Sequence, residues 1–226
     1  MKFSLSSALQ AAVLLGAVAS APSARADILY QSATASGAPG GGYAVQGDGT
    51  TDNSFFIGAA FTLASAAQIT DIGGNFLVSN GGANGDAIFG EIISLASLTS
   101  LPSNPVETLA SLSLGDVVFT PTQDGDTSAT LPVSLQAGTY GVLFGAGLFG
   151  TTDGFASLSF GNDPVGSPSL FQNQFDSGFT SFNDPTVRIF VDGTTDVPEP
   201  ASLALLVGGL AMIGVVRRRG SSRAAC

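Results

Sequence analysis

The sequence predicts an all-β body, an antiparallel β-sandwich of jelly-roll-like form, between an N-terminal signal peptide and one C-terminal transmembrane helix. Three observations carry this reading. Between residues 54 and 193 the apolar residues fall in short runs, several of them alternating apolar and polar, which is the period of a half-buried strand. Clusters of Gly, Asn, Asp and Pro separate the runs, and these residues make turns. Nothing in that region sustains a 3.6-residue period, so the only helix predicted with any length is C-terminal.

The chain opens MKFSLSSALQAAVLLGAVASAPSARAD. Lys2 supplies the positive start and residues 8–19 the apolar stretch. Ala24-Arg25-Ala26 fits the small-x-small rule for cleavage before Asp27. A retained membrane helix fits less well, because the apolar run is short and a cleavage site follows it. Residues 27–53 are rich in Gly, Ala, Ser and Thr and read as an extended lead-in. Strands are expected at 55–63, 67–79, 87–95, 128–135, 138–148, 154–160 and 186–193. SLASLTSLP, 94–102, reads as a short helix or a loop.

The tail, 194–226, begins polar, passes through Val197, Pro198, Glu199 and Pro200, and then runs apolar from 201 to 216. Sixteen helical residues reach about 24 Å, short of the roughly 30 Å hydrocarbon core. The segment spans if Arg217, Arg218 and Arg219 extend their charged ends to the interface. Those arginines stay on the cytoplasmic side and stop transfer, which leaves the body outside. Pro198 and Pro200 hold the entry extended and keep the helix from starting before 201. Glu199 is thereby presented in a stiff segment at the membrane face.

Charge and missing residue types narrow the function. All seventeen acidic residues lie between Asp27 and Glu199, against Arg188 alone, a net charge of −16 there. Such a surface repels phosphate backbones and anionic lipid, so nucleic-acid binding is excluded. The chain has no His, its one Lys is Lys2, and its one Cys is Cys226. Ser-His-Asp and Ser-Lys catalysis, zinc sites built on His or Cys, and intrachain disulfides therefore lack their parts. Gly145, Gly147 and Gly150 match G-x-G-x-x-G, but a strand-like segment follows instead of a helix, so a glycine-rich turn is the better account. A carboxylate pair could involve Glu91 and Glu107, the only glutamates before Glu199.

Calcium is the one cofactor worth keeping in view, and otherwise none is expected. Asp124 and Asp126 flank Gly125, Asp48, Asp52 and Asn53 form a second group, and Asn80, Asn84 and Asp86 a third. None follows an EF-hand, and turns built on Asx hydrogen bonds explain the same residues.

VPEPASLALLVGGLAMIGVVRRRG resembles the PEP-CTERM sorting signal of Gram-negative bacteria: a Pro-Glu-Pro motif, a short apolar span and an Arg-rich end, in that order. The resemblance implies recognition by an exosortase-type processing enzyme, cleavage near the motif, and delivery to the cell surface or the extracellular polysaccharide. LQAGTYGVLFGAGLFGTTDGFASL looks, more loosely, like a segment common in such proteins, whose bodies are β-sandwiches without assigned activity. The expectation is then a non-enzymatic surface or matrix protein, structural or adhesive. Its rival is a lectin-like, calcium-dependent module binding exopolysaccharide, for which Tyr30, Tyr43, Tyr140 and an absence of Trp supply few stacking rings. Two further readings are a hydrolase built on Glu91 or Glu107 and a permanent single-pass anchor that is never processed.

Overall fold

The structure is a computed structural model, and it describes residues 26–36, 40–47, 54–78, 86–102, 109–175 and 177–195. The strands are β1 (Asp27–Gln31), β2 (Ala33–Thr34), β3 (Gly41–Gln46), β4 (Phe55–Leu63), β5 (Ala67–Leu77), β6 (Ile88–Leu95), β7 (Ser113–Phe119), β8 (Gly125–Leu135), β9 (Gly138–Gly145), β10 (Phe155–Phe160), β11 (Asp163–Pro164), β12 (Ser169–Gln174), β13 (Phe179–Phe182) and β14 (Ile189–Thr195). A four-residue helix, α1 (Leu109–Leu112), precedes β7. The described strand pairings are all antiparallel, as the turn-separated short runs predict.

Hydrogen bonds run unbroken along β1-β14-β5-β10-β3-β4-β9-β6-β7. β8 lies on the free edge of β5, and the β12–β13 hairpin lies on β4. Two long strands change partner along one edge. On β5, β14 covers residues 67–74 and β10 takes over at Phe76 and Leu77. On β4, β12 covers residues 55–60 while β3 meets it at Phe55. The sheet therefore curls until strands far apart in the path touch. Phe76 of β5 packs edge-on against Phe144 of β9 and Phe119 of β7, with centroids 5.4 and 5.8 Å away, and Tyr30 of β1 stacks on Phe61 of β4 at 5.4 Å.

The curl encloses the main core, with Ile57, Phe61, Ile72, Phe76, Ile92 and Phe144 all buried. A second apolar cluster covers the opposite face of β4, β9 and β6, built from Phe56, Phe89, Ile93 and Leu143 under Phe171, Phe179 and Leu109. This explains FFIGAAFTL: β4 is apolar at successive positions because both of its faces are covered. Each buried Phe contributes about 1.5–3 kcal/mol, so Phe rings carry much of the stability of a body that has no disulfide.

Those rings need room, and glycines provide it. A Cβ on Gly58 would sit 2.6 Å from Phe171 Cζ and 2.7 Å from the Val142 carbonyl oxygen. The first neighbour is a fully buried ring and the second is backbone, so neither can yield. Gly58→Ala should cost about 1–3 kcal/mol. Urea unfolding of the parent and variant checks this, and equal midpoints would show that Phe171 can move aside.

Residues 55–63 form the expected strand without change, and those expected at 67–79, 87–95, 154–160 and 186–193 shift at their ends by one to three residues. The strand expected at 128–135 begins earlier, at Gly125. The strand expected at 138–148 stops at Gly145, where the chain turns through Gly147, Phe149 and Gly150 at φ 91°, 53° and 86°. A strand, β10, follows that turn, as the turn reading of G-x-G-x-x-G requires. The lead-in is more than a tether, because β1 and β3 are built into the sheet. Residues 94–102 end β6 and then turn, without forming a helix.

Candidate functional site

The sorting residues Val197, Pro198, Glu199 and Pro200, the arginines Arg217, Arg218 and Arg219, and the apolar segment 201–216 lie outside the described residues. So does Ala24. Ala26 and Asp27 are exposed, and Asp27 opens β1, opposite Gly193 of β14. Among the described residues no helix is long and apolar enough to cross a membrane.

In the body, the one basic residue organises a polar cluster on the outer face of β14, β5 and β8. Arg188 is buried. Its Nε donates to both oxygens of Asp126 at 3.0 Å, and its Nη2 lies 2.9 Å from Asp126 Oδ2. Nη1 donates to Gln31 Oε1 at 2.8 Å and to the Ala33 carbonyl. Asn75 Nδ2 adds a bond to Asp126 Oδ1 at 2.8 Å. The guanidinium also lies over the Phe190 ring, 4.9 Å from its centroid. One planar cation thus ties β14 to β8 and to the corner between β1 and β2. Ser32 secures the same corner by donating to the Val187 carbonyl at 2.6 Å and accepting from Ile189 N at 2.7 Å. Asp192 stands opposite Asp71 across β14 and β5. Burial raises the pKa of Asp192, and the Asp71 charge adds to this while Arg188 opposes it.

This cluster bears on the two calcium candidates. Asp126 is engaged by Arg188, which a calcium ion would have to displace. Asp124 Oδ1 accepts from Val78 N at 2.7 Å, a bond between segments 46 residues apart rather than a local Asx turn. Asp86 is exposed, while Asp48, Asp52, Asn53, Asn80 and Asn84 lie outside the described residues. Among the described residues no three acidic, His or Cys side chains come together as a metal group.

The carboxylate pair is not assembled in view, since Glu107 lies outside the described residues. Glu91 is fully buried on the face of β6 that carries Phe89 and Ile93. Its neighbours across the strands are Asp116 and Leu143. Neither carboxyl oxygen has a hydrogen-bond partner, and nor does the nearby Ser113 Oγ. Burial pushes the Glu91 carboxyl up to about 8, with Ser113 working against this and the Asp116 charge adding to it. The Glu91 carboxyl is closed off from solvent.

The tyrosines are spent on structure. Tyr43 donates to Asp184 at 2.8 Å and Tyr140 to the Gln136 carbonyl at 2.9 Å, while Tyr30 stacks on Phe61. The open aromatic ring is one that sequence reasoning passed over. Phe175, at the end of β12, is 58% exposed. Abundant Phe reads as core, and nothing local marks one of them as outward-facing.

Residues 196–219 match the PEP-CTERM protein-sorting motif. No curated protein is similar to the chain in sequence. The match covers the Pro-Glu-Pro motif, the apolar segment and the arginines, and it marks an exported protein with a C-terminal sorting signal.

Proposed function

We propose that this chain is a non-enzymatic surface or matrix protein, exported, held by its C-terminal segment, and processed there by an exosortase-type enzyme. The observation that carries the reading is the sorting motif at 196–219. On this reading 201–216 is a membrane-spanning stop and Arg217, Arg218 and Arg219 remain cytoplasmic. The curled antiparallel sheet is a jelly-roll-like sandwich, a structural or adhesive body. Its acidic surface keeps displayed copies apart. The absence of His, and a described glutamate sealed from solvent, weigh against catalysis.

Intact mass of the protein recovered from the native host tests this. The mature chain should begin at Asp27 and end near Pro198–Pro200, and a Glu199→Ala chain should keep residues 217–226 and stay with the membrane. A parent chain that retains those residues in the membrane fraction would leave a plain anchor and remove the processing enzyme from the account. A lectin-like role is the second reading, and the exposed ring of Phe175 favours it.

A further inference from the structure

We propose that the fork where β3 and β12 part from β4 is a subsite for one ring of a neutral polysaccharide; this deepens the adhesive reading above and rests on it. A recess of about 200 Å³ opens there, lined by Tyr43, Phe55, Ile57, Gln172 and Gln174 among others. Phe175 follows Gln174 directly and meets Phe55 edge-on, with centroids 4.5 Å apart and planes at 71°. The two rings form a corner in which Phe55 lines the recess and Phe175 packs against Phe55.

Phe175 is in an uncommon state for its residue type. Its φ is 55°, the left-handed region that favours Gly or Asn and is costly for a bulky side chain. Phe149 has a similar φ of 53°, but its ring packs against buried Phe89 at 4.9 Å. Packing therefore offsets the strain at Phe149. Phe175 has no such core contact, and it exposes an apolar ring as well. The fold holds it there: Phe175 N donates to the Ser54 carbonyl at 2.9 Å, and Ser177 N and Oγ both close on the Gln174 carbonyl. A strained and exposed ring on a pinned turn is better explained by a ligand than by folding.

The chemistry of the recess selects the ligand class. Among the described residues no charged side chain lines it, on a body whose net charge is −16. An acidic sugar would be repelled, and a phosphate more so. The face of an aromatic ring is electron-rich and attracts the C–H face of a pyranose. Gln174 Nε2 donates to Gln172 Oε1 at 3.1 Å, which orients the two amides. Gln172 Nε2 and Gln174 Oε1 then have no partner among the described residues and can donate to and accept from sugar hydroxyls. A pre-oriented amide pair beside an aromatic corner is the arrangement of few polar groups on an apolar wall that small-ligand sites use.

Native electrophoresis of the full chain, in uncharged detergent, through gels containing dextran, hydroxyethylcellulose, galactomannan or alginate tests the subsite. At least one of the three neutral polymers should retard the chain, and alginate should not. Phe175→Gly should weaken the retardation at least tenfold and leave the thermal midpoint unchanged or higher, because Gly tolerates the turn better. Gln172→Leu, which leaves the ring in place, should weaken it several-fold. No retardation by any neutral polymer, retardation by alginate alone, or parent-like retardation of both variants would overturn the proposal. So would a lowered midpoint in Phe175→Gly, which would make the ring structural. The mass measurement on the tail does not depend on sugar, so either reading can fail without the other.

Discussion

Asp126→Ala should destabilise the body by about 3 kcal/mol, and by more than Arg188→Met does. The asymmetry follows from where each charge lies. The Arg188 side chain is 8% exposed and that of Asp126 is 37% exposed. Removing Asp126 strands a buried cation with no other carboxylate bonded to it, and breaking a buried pair in this way costs about 3–5 kcal/mol. Partial exposure of the pair lowers that figure towards its lower end. Removing Arg188 instead leaves a carboxylate that water can reach, and Met refills the space of the stem. The loss is then the bonds to Gln31 and the Ala33 carbonyl, about 1–2 kcal/mol. Urea midpoints of the two variants decide the matter. If Arg188→Met proves the worse, the cluster is held by its neutral bonds to the β1–β2 corner and the ion pair is incidental.

The stability of the body should fall by about 3–5 kcal/mol between roughly pH 4.5 and pH 8, through Glu91. Its carboxyl stands at about 8 in the folded chain and near the ordinary 4.5 when unfolded. Between those values the folded state keeps a proton that the unfolded state has released. Stability is then fully present below the unfolded value, declines by about 1.4 kcal/mol per pH unit, and levels off above the folded one. Glu91→Leu should remove most of this slope and raise the midpoint at pH 8, since it replaces an unpartnered buried acid with an apolar group among Phe89, Ile93 and Leu143. Asp192, raised by burial, adds to the slope in the same direction. Asp184 acts oppositely and at lower pH: burial works to raise it, but the bonds from Thr186 and Tyr43 prevail and hold it down. Thermal midpoints across pH 5–9 measure the slope. An equal slope in Glu91→Leu would assign the dependence to other groups.

Local order carried the parts of the molecule that were legible. β4, β6, β9 and β14 announce themselves because apolar residues face covered surfaces along their length. β7 does not. Its inward positions include Ser113 and Gly115, with Gly115 lying against Val133, while Leu114 and Val118 face out. Alternation is present there, but its apolar signal is blurred, because Val117 and Phe119 face in beside Ser113 and Gly115 while Leu114 and Val118 face out beside Asp116. β12 hides for a similar reason, since SLFQNQ buries Asn173 without a hydrogen-bond partner. The sorting motif is written in neighbouring residues and needs no fold to be seen. The Arg188 cluster needs one: its partners lie 62 and 157 residues away in sequence. Phe175 likewise becomes distinctive only through its φ and its exposure.

The position of β14 has a mechanical consequence. It is the last strand before the sorting signal, and it is an interior strand, flanked by β1 and β5. Tension entering the body at Thr195 therefore meets two ladders side by side, and Arg188 and Ser32 fasten the same strand laterally. Drawn along its own axis, β14 gives way only if both rows of hydrogen bonds slip together. A terminal edge strand under the same load would peel away bond by bond. A pull applied through the C-terminal end of the body is thus taken by a strand paired on both sides.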